Sequence, residues 1–351
     1  MKIGILTGGG DCPGLNAVIR GAVIGLVQQG HSAIGLRHGW KGLLDKETVP
    51  LGLADVDGIE RTGGTILKTS RTNPYKTEET RKAALESFKA LGLDAIIAVG
   101  GDDTLGACHK LTQDGVPAVG VPKTIDNDLS GTDVTFGFDT ATNIVTEAID
   151  RLHTTAGSHE RILVVEIMGR HAGWITLHGG LAGGAHVILV PEEPFDLGAV
   201  AEVCKARRAA GADHTIVAVS EGAMATDVDS FVTQDKSVDE FGHVRLGGIG
   251  KTLAKELERL TGQEARHVVL GHLQRGGVPS AFDRVLGLRL GLAAAHAVHD
   301  KDFGKMVALK GTDIERVAIA TAVGTLRTVP EERLEEKRQL LSSIATVTRT
   351  A

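Results

Sequence analysis

The chain has 351 residues, 42% hydrophobic and 23% charged, with a net charge of −6. That length suggests two domains with a core each, and an acidic balance without a long basic run disfavours nucleic acid and anionic membranes as partners. The 46 glycines fall singly or in pairs with no collagen-like period, which points to repeated tight turns. Cys12, Cys108 and Cys204 are isolated, without a CxxC pair, and fit inert thiols in a reducing compartment. MKIGILTGGG reaches its glycines too early for a signal peptide, and no apolar run approaches the ~20 residues of a membrane span. A cytoplasmic protein is expected.

Along the chain, short apolar runs close on polar or glycine-rich stretches: KIGILTGGGD, DAIIAVGGDD, VPAVGVPKTID, RILVVEIMGR, AHVILVPEE, HTIVAVSEGA and ARHVVLGHLQRGG. Continuous runs of this kind suit strands buried on both faces of a parallel sheet. Leu15, Val18, Ile19, Ala22, Val23, Leu26 and Val27 keep helical spacing, with Pro13 near the start and Gly30 at the end. A second helical pattern follows Asp139 and carries Ile144, Val145, Ala148, Ile149 and Leu152. Alternating strand and helix predicts a doubly wound α/β fold, whose ligands bind outside the carboxyl ends of the strands. The polar stretches then line one cleft. A domain boundary is expected near FGFDTATN, the stretch from 227 to 248 reads as a surface excursion such as a hairpin, and EERLEEKRQLL reads as a solvated helix.

Several loops carry residues suited to phosphate chemistry, each with a structural alternative. GGGDCPGLNAVIR joins tight-turn glycines to a helix whose first amides can receive an anion, and equally suits a purely structural turn. GGDDT supplies Asp102 and Asp103, with Thr104 placed to cap the next helix. One such carboxylate suffices for magnesium, although both acids also suit a solvated helix start. In PKTIDND, Lys123, Asp126 and Asp128 share a loop directly after a strand, with Thr124 between them. Phosphoryl transfer to a hydroxyl needs a carboxylate to take the proton and cations for the moving charge, while an Asx-type turn is the bland reading. Arg161, Arg170, Arg266, His272 and Arg275 stand at strand or helix termini assigned to the same cleft edge, where they could grip a phosphate. GGIGKTLAKEL imitates the end of a Walker A loop, but Arg245 replaces its first glycine. The 14 histidines contain no HExxH, and His267 and His272 have no companion ligands, so zinc is not expected.

With these loops in order, the sequence resembles the 6-phosphofructokinases over roughly residues 1 to 325, and among them the pyrophosphate-dependent ones. The resemblance rests on TGGGDCPGLNAVIR, GGTILKTSR, GGDDT, PKTIDND, SHERILVVEIMGRHAG, SEGA and GHLQRGG. It implies two doubly wound, Rossmann-like α/β domains with the active site in the cleft between them. Residues 1–137 and 275–324 would form the phosphoryl-donor domain, and 138–274 and 325–351 the fructose 6-phosphate domain. Asp126 would be the base at the sugar's 1-hydroxyl, Asp102 would hold Mg2+, and Gly10 and Arg71 would contact the donor phosphates. Thr124, Met168, Gly169, Arg170, Glu221, His272 and Arg275 would hold fructose 6-phosphate. Arg161 and Arg266 would serve a neighbouring subunit, which implies a homodimer or homotetramer with shared sites.

ATP-using members resemble GGDG(S/T) and PGTIDND, with glycine where this chain has Asp103 and Lys123. Members that use inorganic pyrophosphate carry the Asp/Lys pair. The resemblance therefore implies reversible transfer from pyrophosphate to fructose 6-phosphate, usable in glycolysis and gluconeogenesis. The rivals are an ATP-dependent enzyme tolerating both substitutions and a non-catalytic sugar-phosphate sensor. Arg20 of the bacterial effector pocket is kept, but Ile24 and Leu53 stand where arginines belong and GADH lacks the matching lysines, so no allosteric control by nucleotides is expected.

Overall fold

The computed structural model describes residues 1–226 and 247–342. The stretch read as a surface excursion lies outside the described residues apart from Gly247 and Gly248. The strands are β1 (Lys2–Thr7), β2 (Ser32–Leu36), β3 (Thr48–Leu51), β4 (Ala95–Gly100), β5 (Ala118–Pro122), β6 (Ile162–Ile167), β7 (Val187–Leu189), β8 (Thr215–Ser220), β9 (Ala265–Val269), β10 (Lys305–Lys310) and β11 (Asp313–Ala318). The helices are α1 (Leu15–Gln28), α2 (Trp40–Leu44), α3 (Glu78–Ala90), α4 (Asp102–Gln113), α5 (Phe138–His159), α6 (Trp174–Ala182), α7 (Leu197–Ala209), α8 (Ile249–Thr261), α9 (Ala281–His299), α10 (Ile319–Ala322) and α11 (Glu331–Ser342). None of the described helices is long and apolar enough to cross a membrane.

Two compact units result. The first holds Met1–Thr140 and Arg275–Leu326, and the described part of the second runs over 141–226, 247–274 and 327–342. Each is an α/β unit built on its own sheet. In the first unit the order is β11-β10-β5-β4-β1-β2-β3. Its five central strands are parallel, but β3 and β11 run antiparallel at the two edges. The expectation of a parallel sheet thus holds only for the centre. At one edge the cause is a tight hairpin, Lys310 pairing with Asp313 across Gly311, whose φ of 57° suits glycine. Leu6, Leu36, Ile96, Ala98 and Leu105 are buried in one cluster with Trp40, Leu111 and Ile319. Burial is worth about 1.5–3 kcal/mol for each large side chain. On α1 and α9, Gly21 faces the backbone of Leu288 and Gly291 that of Val18, so closely that a Cβ at either glycine would strike a carbonyl oxygen.

The second unit carries a parallel sheet in the order β7-β8-β6-β9. β6 and β8 are buried along their whole length, which their apolar runs predict. β9 differs, because it is the edge: Arg266, His267 and Val269 are exposed. The C-terminal helix α11 also departs from a wholly solvated reading. Leu334 and Lys337 are buried, the lysine paired with Glu193.

Candidate active site

Strand order locates the binding edge in each unit. In the first sheet the chain winds outward from β1 to β2 and β3, then returns to β4 and β5 on the other side of β1. Neighbouring crossovers therefore diverge between β1 and β4, which opens the sheet edge at their carboxyl ends. Gly8–Gly10 follows β1 and Gly101–Asp102 follows β4, so two of the motifs meet at this point. The turn backbone is tied across it: Gly8 N–H donates to the Val99 carbonyl at 2.9 Å. Thr104 is buried against both turns, and a Cβ at Gly8 or Gly100 would collide with its side chain. The expected capping role of Thr104 is replaced by this packing; α4 has no side-chain cap at its start.

Arg71 is placed by its neighbours. Gly9 N–H donates to Ser70 O at 3.1 Å and Thr69 Oγ1 donates to Gly9 O at 2.6 Å, which brings the exposed Arg71 next to the glycine turn. Arg275 approaches the same turn. Its guanidinium donates to the Asp11 carbonyl at 3.3 Å and takes the space a side chain on Gly10 would need. Arg275 therefore sits in the first unit with Thr124, apart in the chain's division from the other residues assigned to the sugar phosphate.

The loop after β5 holds the densest charge. Lys123 is 4% exposed, and its Nζ donates to the Gly10 carbonyl. Burial pulls this lysine below its ordinary range; the Cys12 thiol, Asp126 and Asp11 oppose that shift, while Arg275 adds to it. Thr124 Oγ1 accepts from Asp126 N–H at 3.0 Å, so this turn is closed by a threonine hydroxyl rather than by the Asx side chain expected, and it aims Asp126. Asn127, with φ 53°, was not anticipated as a site residue. Its buried amide oxygen accepts from Thr135 N–H at 3.0 Å, locking the left-handed step that separates Asp126 from Asp128. The sequence signal was an Asn between two Asp residues, since Asn tolerates this conformation better than most residues.

Three carboxylates gather here. Burial raises Asp128 well above the usual carboxylate range, and the charges of Asp126 and Asp102 add to the effect. Asp126 keeps one buried carboxylate oxygen without a hydrogen-bond partner, and buried polar atoms of that kind are normally satisfied. Asp102 accepts from Gly324 N–H at 3.1 Å and is otherwise exposed. The unsatisfied buried oxygen of Asp126 and the exposed carboxylate of Asp102 are the hard oxygen donors that a divalent cation such as Mg2+ takes, one or two carboxylates sufficing beside water and phosphate. Asp103 occupies the first turn of α4, half-buried.

The second sheet repeats the logic. Here β6 opens the winding, with β8 and β7 on one side of it and β9 on the other, and Met168–Arg170 and Gly271–Gln274 follow the carboxyl ends of β6 and β9. Gly169 has φ 144°, and Arg170 adopts φ 50° while its N–H donates to a Glu221 carboxylate oxygen at 3.2 Å. Glu221 is itself placed by its N–H to Ile167 O at 2.8 Å. Gln274, fully buried and not singled out from the sequence, accepts from Met168 N–H at 3.3 Å. That bond sets the segment bearing the exposed His272 against the end of β6.

Arg161 and Arg266 do not belong to this edge. Arg161 precedes β6, and Arg266 is the second residue of β9, so both stand at the amino ends of the strands. About 20 Å of extended strand separates Arg161 from the carboxyl edge, and about 10 Å separates Arg266 from it. Their placement with the other cationic residues is corrected accordingly. Glu264 bridges them, accepting from Arg161 Nε at 2.7 Å and from Arg266. The Walker-like segment is also spent on structure. Gly248 and Gly250 amides at the start of α8 donate to the buried Glu166 carboxylate at 2.8–3.2 Å. An internal anion fills the place a phosphate would need.

The family described as Phosphofructokinase matches residues 2–298. The pyrophosphate–fructose 6-phosphate 1-phosphotransferase of Streptomyces coelicolor is 59% identical over 340 residues, covering 96% of this chain and 98% of that protein. The ATP-dependent 6-phosphofructokinase 3 of the same organism is 52% identical over 342 residues, covering 97% and 100%. Among solved structures, the pyrophosphate-dependent phosphofructokinase of Marinobacter aquaeolei has a TM-score of 0.82 at 21% identity, covering 99% of this chain and 92% of that one. Pichia pastoris phosphofructokinase has a TM-score of 0.80 at 29% identity, and the chain spans 36% of its length. A shared fold, a family match over most of the sequence and relatives aligned nearly end to end lead to one conclusion: the chain belongs to the phosphofructokinase family.

Proposed function

We infer that this enzyme transfers a phosphoryl group reversibly from inorganic pyrophosphate to the 1-hydroxyl of fructose 6-phosphate, giving fructose 1,6-bisphosphate and phosphate. The observation that carries the reading is the joint presence of Asp103, in the first turn of α4, and the buried Lys123, whose Nζ donates to the Gly10 carbonyl. A carboxylate at Asp103 repels the α-phosphate of a nucleotide, and a cation at Lys123 balances the compact charge of pyrophosphate. Near-full-length identity of 59% to a protein named for this reaction supports it. Because the reaction is reversible, it serves glycolysis and gluconeogenesis alike.

In this reading Asp126 accepts the proton of the 1-hydroxyl, aimed by Thr124 and the Asn127 step. The amides of the Gly8–Gly10 turn and Arg71 hold the donor, while Lys123 neutralises the moving phosphoryl group. Asp102 would hold Mg2+, which supplies charge neutralisation on the phosphate oxygens when bound. Met168, Gly169, Arg170, Glu221 and His272 hold the sugar phosphate, joined by Thr124 and Arg275. Arg161 and Arg266, out of reach of the carboxyl edge of their own sheet, serve a neighbouring copy, so the working enzyme is a homodimer or homotetramer. The free thiols of Cys12 and Cys108, fully buried and pushed up to about 12 by burial, support a cytoplasmic setting.

Purified protein with fructose 6-phosphate and Mg2+, offered pyrophosphate or ATP separately, tests the reading. The expected kcat/KM for pyrophosphate exceeds that for ATP by about 100-fold or more, corresponding to the ~3 kcal/mol of a like-charge contact. A preference for ATP assigns the chain to the ATP-dependent branch. Turnover with neither donor leaves the sensor.

A further inference from the structure

Three histidines distant in sequence converge at the edge of the second sheet opposite the sugar-phosphate loops. His186 precedes β7, His214 precedes β8 and His153 lies on α5. Their ring centroids are 5.1–5.5 Å apart in edge-on pairs, and one nitrogen of each lies within 4.8 Å of the others. Spacings of 33 and 28 residues hide the group from any motif.

The hydrogen bonds settle where the ring protons are. His153 Nε2 lies 2.8 Å from the Gly183 carbonyl, which only accepts, so Nε2 carries the proton. His214 Nδ1 lies 2.5 Å from an Asp213 carboxylate oxygen and is likewise the donor. In neutral rings, His153 Nδ1 and His214 Nε2 then present lone pairs to each other at 2.8 Å. Two facing lone pairs require an electrophile between them. A proton is one choice and a metal ion the other.

We propose that His153 and His214, walled by His186, bind a divalent transition-metal ion of the zinc class. The donor set favours it, because imidazole nitrogens select Zn2+, Co2+, Ni2+ or Cu2+ over Mg2+. At bond lengths of ~2.0–2.1 Å a tetrahedral ion holds two nitrogens roughly 3.3 Å apart, so a slight turn of either ring opens the pair. Asp213 on His214 and a carbonyl on His153 reproduce the outer contacts that orient metal-bound histidines. His186 Nδ1 accepts from Ile216 N–H at 2.8 Å, so this ring becomes a third ligand only by giving that bond up. Water completes the coordination, admitted because all three residues are partly exposed. Arg207, which donates to the His214 carbonyl at 3.3 Å, is the nearby cation that tempers affinity.

The test is a zinc titration of the chelator-stripped full chain by calorimetry, with excess Mg2+ occupying oxygen-ligand sites. One equivalent should bind at micromolar free zinc and raise Tm. His153→Gln and His214→Gln should each weaken binding at least ~10-fold, and Asp213→Asn roughly 10–100-fold, as outer contacts do. His109→Gln, on α4 in the other unit, should titrate as wild type. Co2+ added to the wild type should develop the visible absorption of a four-coordinate nitrogen site, a readout independent of how the variants fold. Failure to bind one equivalent, no such absorption, or wild-type affinity in both histidine variants overturns the proposal and leaves a shared proton between the rings.

Discussion

Lys123→Met separates chemistry from stability. The ammonium is 4% exposed and its charge-assisted bond to the Gly10 carbonyl is lost in the variant, at about 1.5–3 kcal/mol. Against that, methionine nearly matches the volume and spares the desolvation of a buried cation, which costs several kcal/mol even after relaxation. The two terms offset, so Tm should move by no more than about 3 °C. Transition-state charge has no such compensation. Removing one preorganised electrostatic partner typically costs 10²–10³ in rate, about 2.7–4 kcal/mol, and kcat with pyrophosphate should fall by that factor. KM for fructose 6-phosphate should change little. The assay is steady-state kinetics beside a thermal melt of the same preparation. A variant that keeps kcat within about threefold but loses ten degrees of Tm makes Lys123 a structural cation and removes the argument.

Asp103→Gly should shift the ratio of kcat/KM for pyrophosphate to that for ATP by about 100-fold toward ATP; an unchanged ratio refutes the repulsion. Mixing inactive Arg161→Ala subunits with inactive Asp126→Asn subunits should restore part of the wild-type rate through hybrid sites, whereas no recovery after verified exchange argues against shared sites. Asp283, buried with its carboxylate accepting from Thr140 N–H and Oγ1 at 2.8 and 2.5 Å, is raised to about 6 by burial. Its folded pKa exceeds the unfolded value near 3.9, so its contribution is complete below about pH 4 and lost as pH rises through 6, amounting to about 3 kcal/mol. Asp283→Asn should flatten that fall between pH 4 and 6 in chemical denaturation; parallel curves for the two proteins exclude it.

Much of the fold was legible because β1, β4, β5, β6, β7 and β8 are apolar runs ended by glycine or polar loops, and the strand edge that carries them is a consequence of winding. β3 and β11 were not singled out, since short edge strands such as TVPL and DIERVA have no continuous apolar face. The loops of the site were visible for the same reason as the strands. Their geometry was not. Nothing local says that Thr104 packs on two glycine turns, that Asn127 turns left-handed, or that Arg275 reaches the Gly10 turn, because each depends on contacts across long stretches of chain. Arg161 and Arg266 were misplaced because their nearness to the strands was weighed without their side of them: Arg161 precedes ILVVEI and Arg266 stands near the start of ARHVV, the amino ends of parallel strands. Leu334 and Lys337 were hidden in a helix of twelve residues, seven of them charged.

The carboxylate of Glu166 has a further consequence for protein engineering. It clamps the chain at Gly248 and Gly250 on to β6, one of the two central strands of its sheet. On the other side of the intervening stretch, Thr226 N–H donates to Phe195 O at 2.9 Å, and Phe195 pairs with Ala225 as an isolated bridge. Both flanks are therefore fastened independently of whatever lies between them. Lengthening, shortening or tagging the chain between Thr226 and Gly248 should leave the sheet register untouched, since tolerance to insertion follows the bonding of the flanking backbone. A fluorescent reporter or an affinity handle placed there would be carried by a fixed mount.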